Sequence, residues 1–428
     1  MRFSAVLFNK KILLGRPSNN LTSGIVGLAN VGKSTFFQAI TKSTLGNPAN
    51  YPFATIQPEE AKCIVPSTKL ENLQKLYQSD KTVPATLTIY DIAGLIRGAS
   101  NGEGLGNQFL NDIRPVDGIY QVVRGFVDED ITHIEGNVDP VRDCSLVQDE
   151  LILKDLDILE NLVEKIDKKK IKASKNSVEY KEMEFEIAFL QKLEEHLYNG
   201  MKIYHLKDVL KDQKSEQWTE QEVEILNKHN FLTSKPTIFL LNVNPRDYLL
   251  QDNQFKKRVQ EWISEYSPND PLILFSAELE TKYNEFGGET PEFLDYCSTQ
   301  LNKFNTSSET TPTATKMTSC LPDIIKQMRR SLKLISFYTC GPIECRQWTI
   351  REQSTAPEGA GVIHTDLKKT FINAEVMKYA DIENHLLKPQ FSDLSVLKNI
   401  GKLKRVGKTY IIEDGDVCLF KASKGNSR

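Results

Sequence analysis

Neither sign of charge is in surplus: 54 Lys and Arg stand against 57 Asp and Glu, a formal net charge of −3. That balance excludes a uniformly basic coat for nucleic acid, so any such contact must come from a local patch. No apolar run reaches the ~18–20 residues a bilayer-spanning helix needs. The seven cysteines are scattered and lack CxxC spacing. Neither a disulfide framework nor a zinc site is indicated, and a reducing compartment fits. No acidic residue precedes Glu59. Before Gly24 the chain instead mixes Arg2, Lys10, Lys11 and Arg16 with Phe3, Leu7, Phe8, Leu13 and Leu14. Basic, hydroxylated and acid-free is the character of a mitochondrial transit peptide, which predicts the mitochondrial matrix. A short strand-forming extension of a cytoplasmic protein is the alternative. Gly and Pro are both missing from Val141 to Asn199, so nothing in that stretch breaks a helix.

What is present reads as several domains, since 428 residues at roughly 150 per domain suggests about three. At 39% hydrophobic and 26% charged, usage is ordinary for a globular chain. Short apolar runs alternate with Gly-rich turns and helical patterns: Ile25-Val26, Leu87–Tyr90, Gly118–Val123, then Thr237–Leu241 and Leu272–Phe275. Such alternation argues an α/β fold with a parallel sheet. Between its halves, Leu153, Leu156, Leu159, Val163 and Ile166 recur at helical spacing, as do Met183, Ile187, Leu190, Leu193 and Leu197. Two amphipathic helices with a basic connection (Lys168 to Lys170, Lys172, Lys175) form an antiparallel hairpin, its lysines a solvated face. Asn305 to Ser319 is Ser/Thr-rich and reads as a linker. After a helix near Ile324–Leu332, the tail alternates strand runs with Gly and Pro turns, a small β domain. The boundaries expected are a basic extension at 1–23, a sheet domain at 24–143 and 228–304, and a helical insertion at 144–227. A linker at 305–322, a tail domain with its leading helix at 323–422, and a tail at 423–428 complete the division.

Gly27 to Ser34 satisfies the P-loop pattern GxxxxGK(S/T), with Ile25-Val26 as incoming strand and Phe36–Ile40 in the outgoing helix. Small residues let the backbone N–H groups of Asn30, Val31, Gly32, Lys33, Ser34 and Thr35 curl around phosphates at a helix N-terminus. Lys33 bridges β- and γ-phosphate oxygens in this reading, Ser34 ligates Mg²⁺, and Thr35 reaches the α-phosphate. Asp91-Ile92-Ala93-Gly94 follows an apolar strand, so that Asp91 holds Mg²⁺ through water and the Gly94 N–H senses the γ-phosphate. Thr55, between the two motifs, offers a hydroxyl and a carbonyl to Mg²⁺ and water. His364, Trp348, Phe371, Cys340 and Cys345 are assigned structural rather than site roles.

These motifs bring the chain to a known family. Gly27–Thr35, Asn50–Thr55, Asp91–Gly98 and Gly102–Asn107 resemble the Obg-like ATPases, the YchF-type branch of the P-loop NTPases related to translation factors. Gly361–Asp366, Ala374–Tyr379, Gly401-Lys402 and Glu413–Asp416 resemble that family's terminal TGS domain. The resemblance runs from about Gly24 to Phe420. It implies an OBG-type G domain, an inserted coiled-coil hairpin and a C-terminal β-grasp TGS domain. It further implies preference for ATP and association with the ribosome or its RNA through the hairpin and TGS domain. No membrane or DNA partner is expected.

The base-reading segment is Asn242-Val243-Asn244-Pro245, where an ordinary GTPase has NKxD. Val243 removes the Lys that covers the base, and Pro245 removes the carboxylate that pairs guanine. A buried guanine would leave its N1–H and 2-amino donors unpaired, costing roughly 1–3 kcal/mol each. Ser276 and Ala277 are expected to add backbone contacts near the base. Leu95 replaces a water-orienting Gln after DxxG, and Ser100 stands where the resemblance implies a His. A Ser orients water but is a poor base, and general-base help is typically worth about 10²–10⁴-fold. Slow hydrolysis follows, driven by Lys33, Mg²⁺ and loop amides. The resemblance also implies that Asn30 occupies a position coordinating a monovalent cation in several relatives, where K⁺ could partly replace an arginine finger; a hydrogen bond from Asn30 to the Asn50–Thr55 loop is the alternative. The expected activity is hydrolysis of ATP to ADP and phosphate, GTP less well, as a nucleotide-dependent switch. A nearly inactive nucleotide-gated adaptor and a GTPase are the rivals.

Overall fold

The computed structural model describes residues 13–42, 60–92, 111–128, 130–131, 133–209, 218–303, 314–386 and 398–423. The first half of the chain supplies β1 (Thr22–Val26), β2 (Glu60–Ile64), β3 (Lys81–Val83), β4 (Thr86–Asp91) and β5 (Gly118–Arg124). After the helical insertion come β6 (Thr237–Asn242) and β7 (Leu272–Phe275). One six-stranded sheet runs β2-β4-β1-β5-β6-β7. Only β2 in it is antiparallel to its neighbour. Every residue of β5 and β6 is buried, which is why these strands read as continuous apolar runs rather than alternating ones. Edge strand β2 alternates instead. The chain leaves β1 toward β4 on one side and later enters β5 on the other. The carboxyl end of β1 is therefore the point where strand order reverses, the usual place for a ligand crevice.

Helix α1 (Lys33–Lys42) follows β1, and α2 (Thr68–Tyr77) follows β2. The unbroken stretch folds as α3 (Pro140–Lys170) and α4 (Val178–Tyr198), as its periodicity predicts. Asp139 caps α3, with Pro140 at its first turn. One helix serves two cores: Cys144, Val147 and Leu151 join the sheet's core, whereas Leu159 and Ile166 pack with Met183, Ile187, Leu190 and Leu193 of α4. The lysines are a solvated face, with Lys168 paired to Glu164 and Lys170 to Glu184. Buried Asp155 accepts from Leu232 N, Thr233 N and Thr233 Oγ1 at 2.6–2.9 Å. A second tie is the buried cluster of Lys202, His205 and Asp270, which joins the end of the arm to the approach to β7.

Later helices are α5 (Glu220–His229), α6 (Pro245–Leu250), α7 (Lys256–Tyr266), α8 (Ala277–Glu285), α9 (Pro291–Asn302) and α10 (Leu321–Ser331). The tail adds β8 (Leu334–Cys340), β9 (Glu344–Arg351), α11 (Ala356–Ile363), α12 (Thr365–Lys369), β10 (Phe371–Lys378) and α13 (Tyr379–Leu386). It ends with β11 (Lys404–Val406) and β12 (Asp416–Ala422). This sheet runs β11-β10-β12-β8-β9-β3.

Its last member differs from the sequence-based division. Lys81–Val83, placed by sequence in the 24–143 segment, pairs in parallel with Glu344–Arg346 of β9. Leu70 and Leu73 of α2 pack with Tyr338, Cys345, Met377 and Ile382. The excursion between β2 and β4 thus belongs to the tail sheet. The extension drawn at 1–23 also differs, since Thr22 and Ser23 are already in β1. The Arg351 guanidinium donates to Leu14 O, its backbone N–H donates to Asn19 Oδ1, and Arg16 pairs with Asp117. Of the linker, residues 304–313 lie outside the described residues. Residues from Ala314 are laid across the first core, with Tyr248 Oη donating to Thr318 O and Cys320 N to Glu280.

Candidate nucleotide-binding site

The site begins where β1 ends. Gly27 has φ +152°, and a Cβ there would meet Val122 O at 2.4 Å. Gly32 has φ +100°, with a Cβ position 2.3 Å from Asn242 Nδ2. Asn30 takes the left-handed conformation, φ 61°. These turns bring the loop round to the first turn of α1, where no acidic side chain offsets the helix dipole. Lys33 is buried and donates from Nζ to Leu28 O at 2.7 Å, spanning the loop. Burial lowers its pKa to about 8, against the attraction of Asp91. Ser34 and Thr35 are exposed at the mouth. Asp91 ends β4 in register with Ile25 of β1, which sets its carboxylate beside the loop.

Asn242, at the end of β6, braces the loop. Its Nδ2 donates to Val31 O at 2.9 Å, and its Oδ1 accepts from Ala277 N at 3.0 Å. A single buried amide therefore ties the phosphate loop to the start of α8. Val243 is buried beside it and donates its N–H to Phe275 O. Asn244 caps α6, which begins at Pro245.

A cavity of about 780 Å³ connects these parts, within the range of small-ligand sites. Its wall includes Asn30, Gly32, Lys33, Ser34, Thr35, Asn242, Val243 and Ala277, eight residues singled out by sequence. Val31 contributes its carbonyl to the brace, its side chain lying in the core. Ser276 is not on this wall: it is wholly buried, and its hydroxyl caps α8 by accepting from Leu279 N. A strand ending into a helix needs that cap, and the neighbouring Ala277 faces the cavity instead. Thr55, Gly94, Leu95 and Ser100 lie outside the described residues.

The wall has a side that sequence reasoning missed: Phe126, Val127, Asp128 and Ile131 after β5, with Glu278, Thr281, Lys282 and Glu285 on α8. Arg124 builds it. Its buried guanidinium donates to Phe126 O, Asp128 O and Ile131 O at 3.0–3.2 Å and lies 4.6 Å from the Phe126 ring centroid. A cation ending an otherwise uncharged buried strand was the available signal. The carboxylates on this wall are already engaged. Asp128 accepts from Asp130 N, Glu278 from Tyr296 Oη, and Glu285 pairs with Lys282.

The donor set fits a magnesium-bearing phosphate. Ser34 and Asp91 offer hard oxygens and leave remaining positions to phosphate and water, as Mg²⁺ sites on substrates do. No cluster of three or more His, Cys, Asp or Glu that could hold a metal ion occurs among the described residues.

Comparison with known proteins agrees with this geometry. The family described as "50S ribosome-binding GTPase" matches residues 22–170. The C-terminal region of YchF GTPases, described as a protein of unknown function, matches 334–423. A Saccharomyces cerevisiae protein named "Obg-like ATPase homolog" is 58% identical over 415 residues, covering 97% of this chain and 98% of that one. The chain belongs to the Obg-like ATPase (YchF) family. "Obg-like ATPase 1" of the same yeast is 48% identical over 98% of each chain. The Schizosaccharomyces pombe YchF GTPase structure is 43% identical, with a TM-score of 0.78, over 96% of this chain and all of that one. Fold and family therefore agree with the sequence reading: a P-loop G domain carrying a helical insertion and the YchF C-terminal domain.

Proposed function

We propose that this Obg-like family member is a Mg²⁺-dependent ATPase that cleaves the β–γ bond of ATP and switches conformation with nucleotide state. The carrying observation is the segment Asn242–Pro245. Its Asn is spent on bracing the loop, and it offers no carboxylate to guanine. Adenine presents a 6-amino donor and an N1 acceptor, which backbone groups can pair. The names of the two yeast relatives support ATP. The word GTPase in the matching family and in the solved relative favours the rival base.

Bound Mg²⁺ would neutralise charge between the β- and γ-phosphates, held by Ser34 and, through water, Asp91. Lys33 exchanges its bond to Leu28 O for phosphate oxygens. Loop amides and the α1 N-terminus stabilise charge developing on the β–γ bridge. Thr55, Gly94 and Ser100 are proposed to position water and sense the γ-phosphate. Leu95 and Ser100 make intrinsic turnover slow.

Asn30, on the cavity wall, is proposed to recruit K⁺; equal turnover in K⁺ and Na⁺ would dispose of that part. Ribosomal association rests on the description of the matching family, with the helical arm and tail domain as contact surfaces. A mitochondrial address rests on composition alone. The ties at Leu14 and Arg16 require any removable leader to end before them, and imaging fusions with and without that leader tests it. For the activity itself, the test is single-turnover cleavage of γ-labelled ATP by the parent and by Lys33→Ala. Label release by the parent alone supports an ATPase. ATP held intact for hours by the parent would make the chain a nucleotide-gated adaptor.

A further inference from the structure

A cavity of about 440 Å³ opens where the start of α2, the end of α10 and β8 meet, and it shares no lining residue with the nucleotide cavity. Its wall holds four cations, Lys69, Lys326, Arg329 and Arg330, against two carboxylates, Glu352 and Asp414, an excess of two positive charges. Asp414 is already engaged, accepting from Lys69 Nζ and from Ser336 N, each at 2.9 Å. Lys326 and Arg330 are exposed and make no ion pair among the described residues.

Arg329 is 5% exposed, yet its guanidinium meets only neutral oxygens. These are Thr349 Oγ1 and Ser336 Oγ at 2.8 Å, and Ile335 O at 3.3 Å. Burial lowers its pKa to about 10, the more distant attraction of Asp414 opposing that. Buried arginines are ordinarily matched by an anion, because an uncompensated charge in the interior is costly.

We propose that this cavity binds a phosphate monoester in its dianionic form. Guanidinium and ammonium groups, which line this cavity, are the usual donors for phosphate oxygens. A monoester carries close to two negative charges at neutral pH, matching the local excess, whereas a phosphodiester carries one. The ligand would bridge Lys69 on α2 to Arg330 on α10 beside the tail sheet. Because α2 lies between strands β2 and β4 of the nucleotide sheet, occupancy would stiffen that connection.

The test titrates full-length protein, saturated with Mg·ADP to fill the P-loop, with glycerol 3-phosphate and with dimethyl phosphate. It also uses a short RNA bearing either a 5′-phosphate or a 5′-hydroxyl. Glycerol 3-phosphate should bind at least tenfold more tightly than dimethyl phosphate at pH 7.5, and more weakly at pH 5.5, where the ester becomes a monoanion. Lys326→Ala with Arg330→Ala, both exposed, should lose at least tenfold of this affinity while ADP affinity is unchanged. Tighter binding of the 5′-phosphorylated RNA than of glycerol 3-phosphate assigns the monoester to an RNA end, and equal affinities assign it to a small molecule. Absence of binding by both monoesters, parity with dimethyl phosphate, or an unaffected double variant would overturn the proposal.

A separate observation concerns Cys340 and Cys345. They face each other as the closing pair of the β8–β9 hairpin, with Sγ atoms 2.9 Å apart, and Cys340 is only half-buried. We infer that oxidised glutathione converts this pair reversibly to a disulfide. The Cys340 thiolate attacks one glutathione sulfur and releases a first reduced glutathione. Cys345 then attacks the mixed disulfide and releases a second, the two thiol protons ending on the departing glutathiones. Intact-mass measurement after equilibration should show the loss of two hydrogens, and Cys345→Ser should instead retain one glutathione. An unchanged parent mass, or a parent that keeps the adduct, would overturn it.

Discussion

Asn242→Ala probes the brace between phosphate loop and base wall. The substitution leaves two buried backbone groups without their partner, Val31 O and Ala277 N, now held at 2.9 and 3.0 Å. Each stranded buried group costs about 1–3 kcal/mol, so a total loss of about 2–6 kcal/mol is expected. Part appears as lost stability and part as lost nucleotide affinity, because the same amide also meets Gly32 at the turn of the loop. If half falls on binding, ATP affinity drops by about fivefold to about a hundredfold, each 1.4 kcal/mol being one decade. Urea unfolding measures the first share and calorimetric titration with ATP the second. Asn242→Asp keeps the acceptor for Ala277 N but loses the donor to Val31 O, and should bind ATP more weakly than the parent while holding α8 in place. An Asn242→Ala protein within about 0.5 kcal/mol of the parent in stability, with unchanged ATP affinity, would refute the reasoning.

Three further outcomes follow from the geometry. With a nucleotide-free Lys33 pKa of about 8, the ammonium is present below that pH and lost above it. ATP affinity should therefore be level from pH 7 to 8 and fall toward tenfold per unit above, as binding must then take up a proton. Affinity level to pH 9.5 would contradict this. Gly32→Ala puts a Cβ at φ +100° into Asn242 and should abolish measurable ATP retention in titration, with a stability loss of about 1–3 kcal/mol from the strained backbone. Asp270→Asn leaves Lys202 buried without its carboxylate, a change that usually costs about 3–5 kcal/mol and should show as a lowered urea midpoint. Burial opposes the Asp270 charge, but Lys202 and His205 bring its pKa below the ordinary value. Its stabilisation is thus present above the unfolded value near 4 and lost as pH falls through the lower folded one.

Features written in consecutive residues were legible in the sequence. The P-loop is one, since the strand, the Gly turns and the helix that make it are contiguous from Ile25 to Ile40. The helical arm is another, because the absence of Gly and Pro leaves α3 and α4 no alternative. Pairings across long separations were not. Lys81–Val83 is three residues long, too short to carry a pattern, and its partner β9 lies far along the chain. The wall at Phe126–Ile131 escaped because Arg124 shapes it through carbonyl oxygens, which every residue type supplies. The capping role of Ser276 escaped because a strand end and a helix cap look alike in sequence. The anchoring of Leu14 to Asn19 escaped for the same reason as β3, since Arg351 is more than three hundred positions away.

Base selection tests the central claim most directly: competition of ATP and GTP for one sample of full-length protein, followed by displacement of a fluorescent triphosphate in Mg²⁺. A purine cleft without a carboxylate at position 245 predicts ATP binding at least tenfold tighter than GTP. Equal displacement, or tighter binding of GTP, would contradict it.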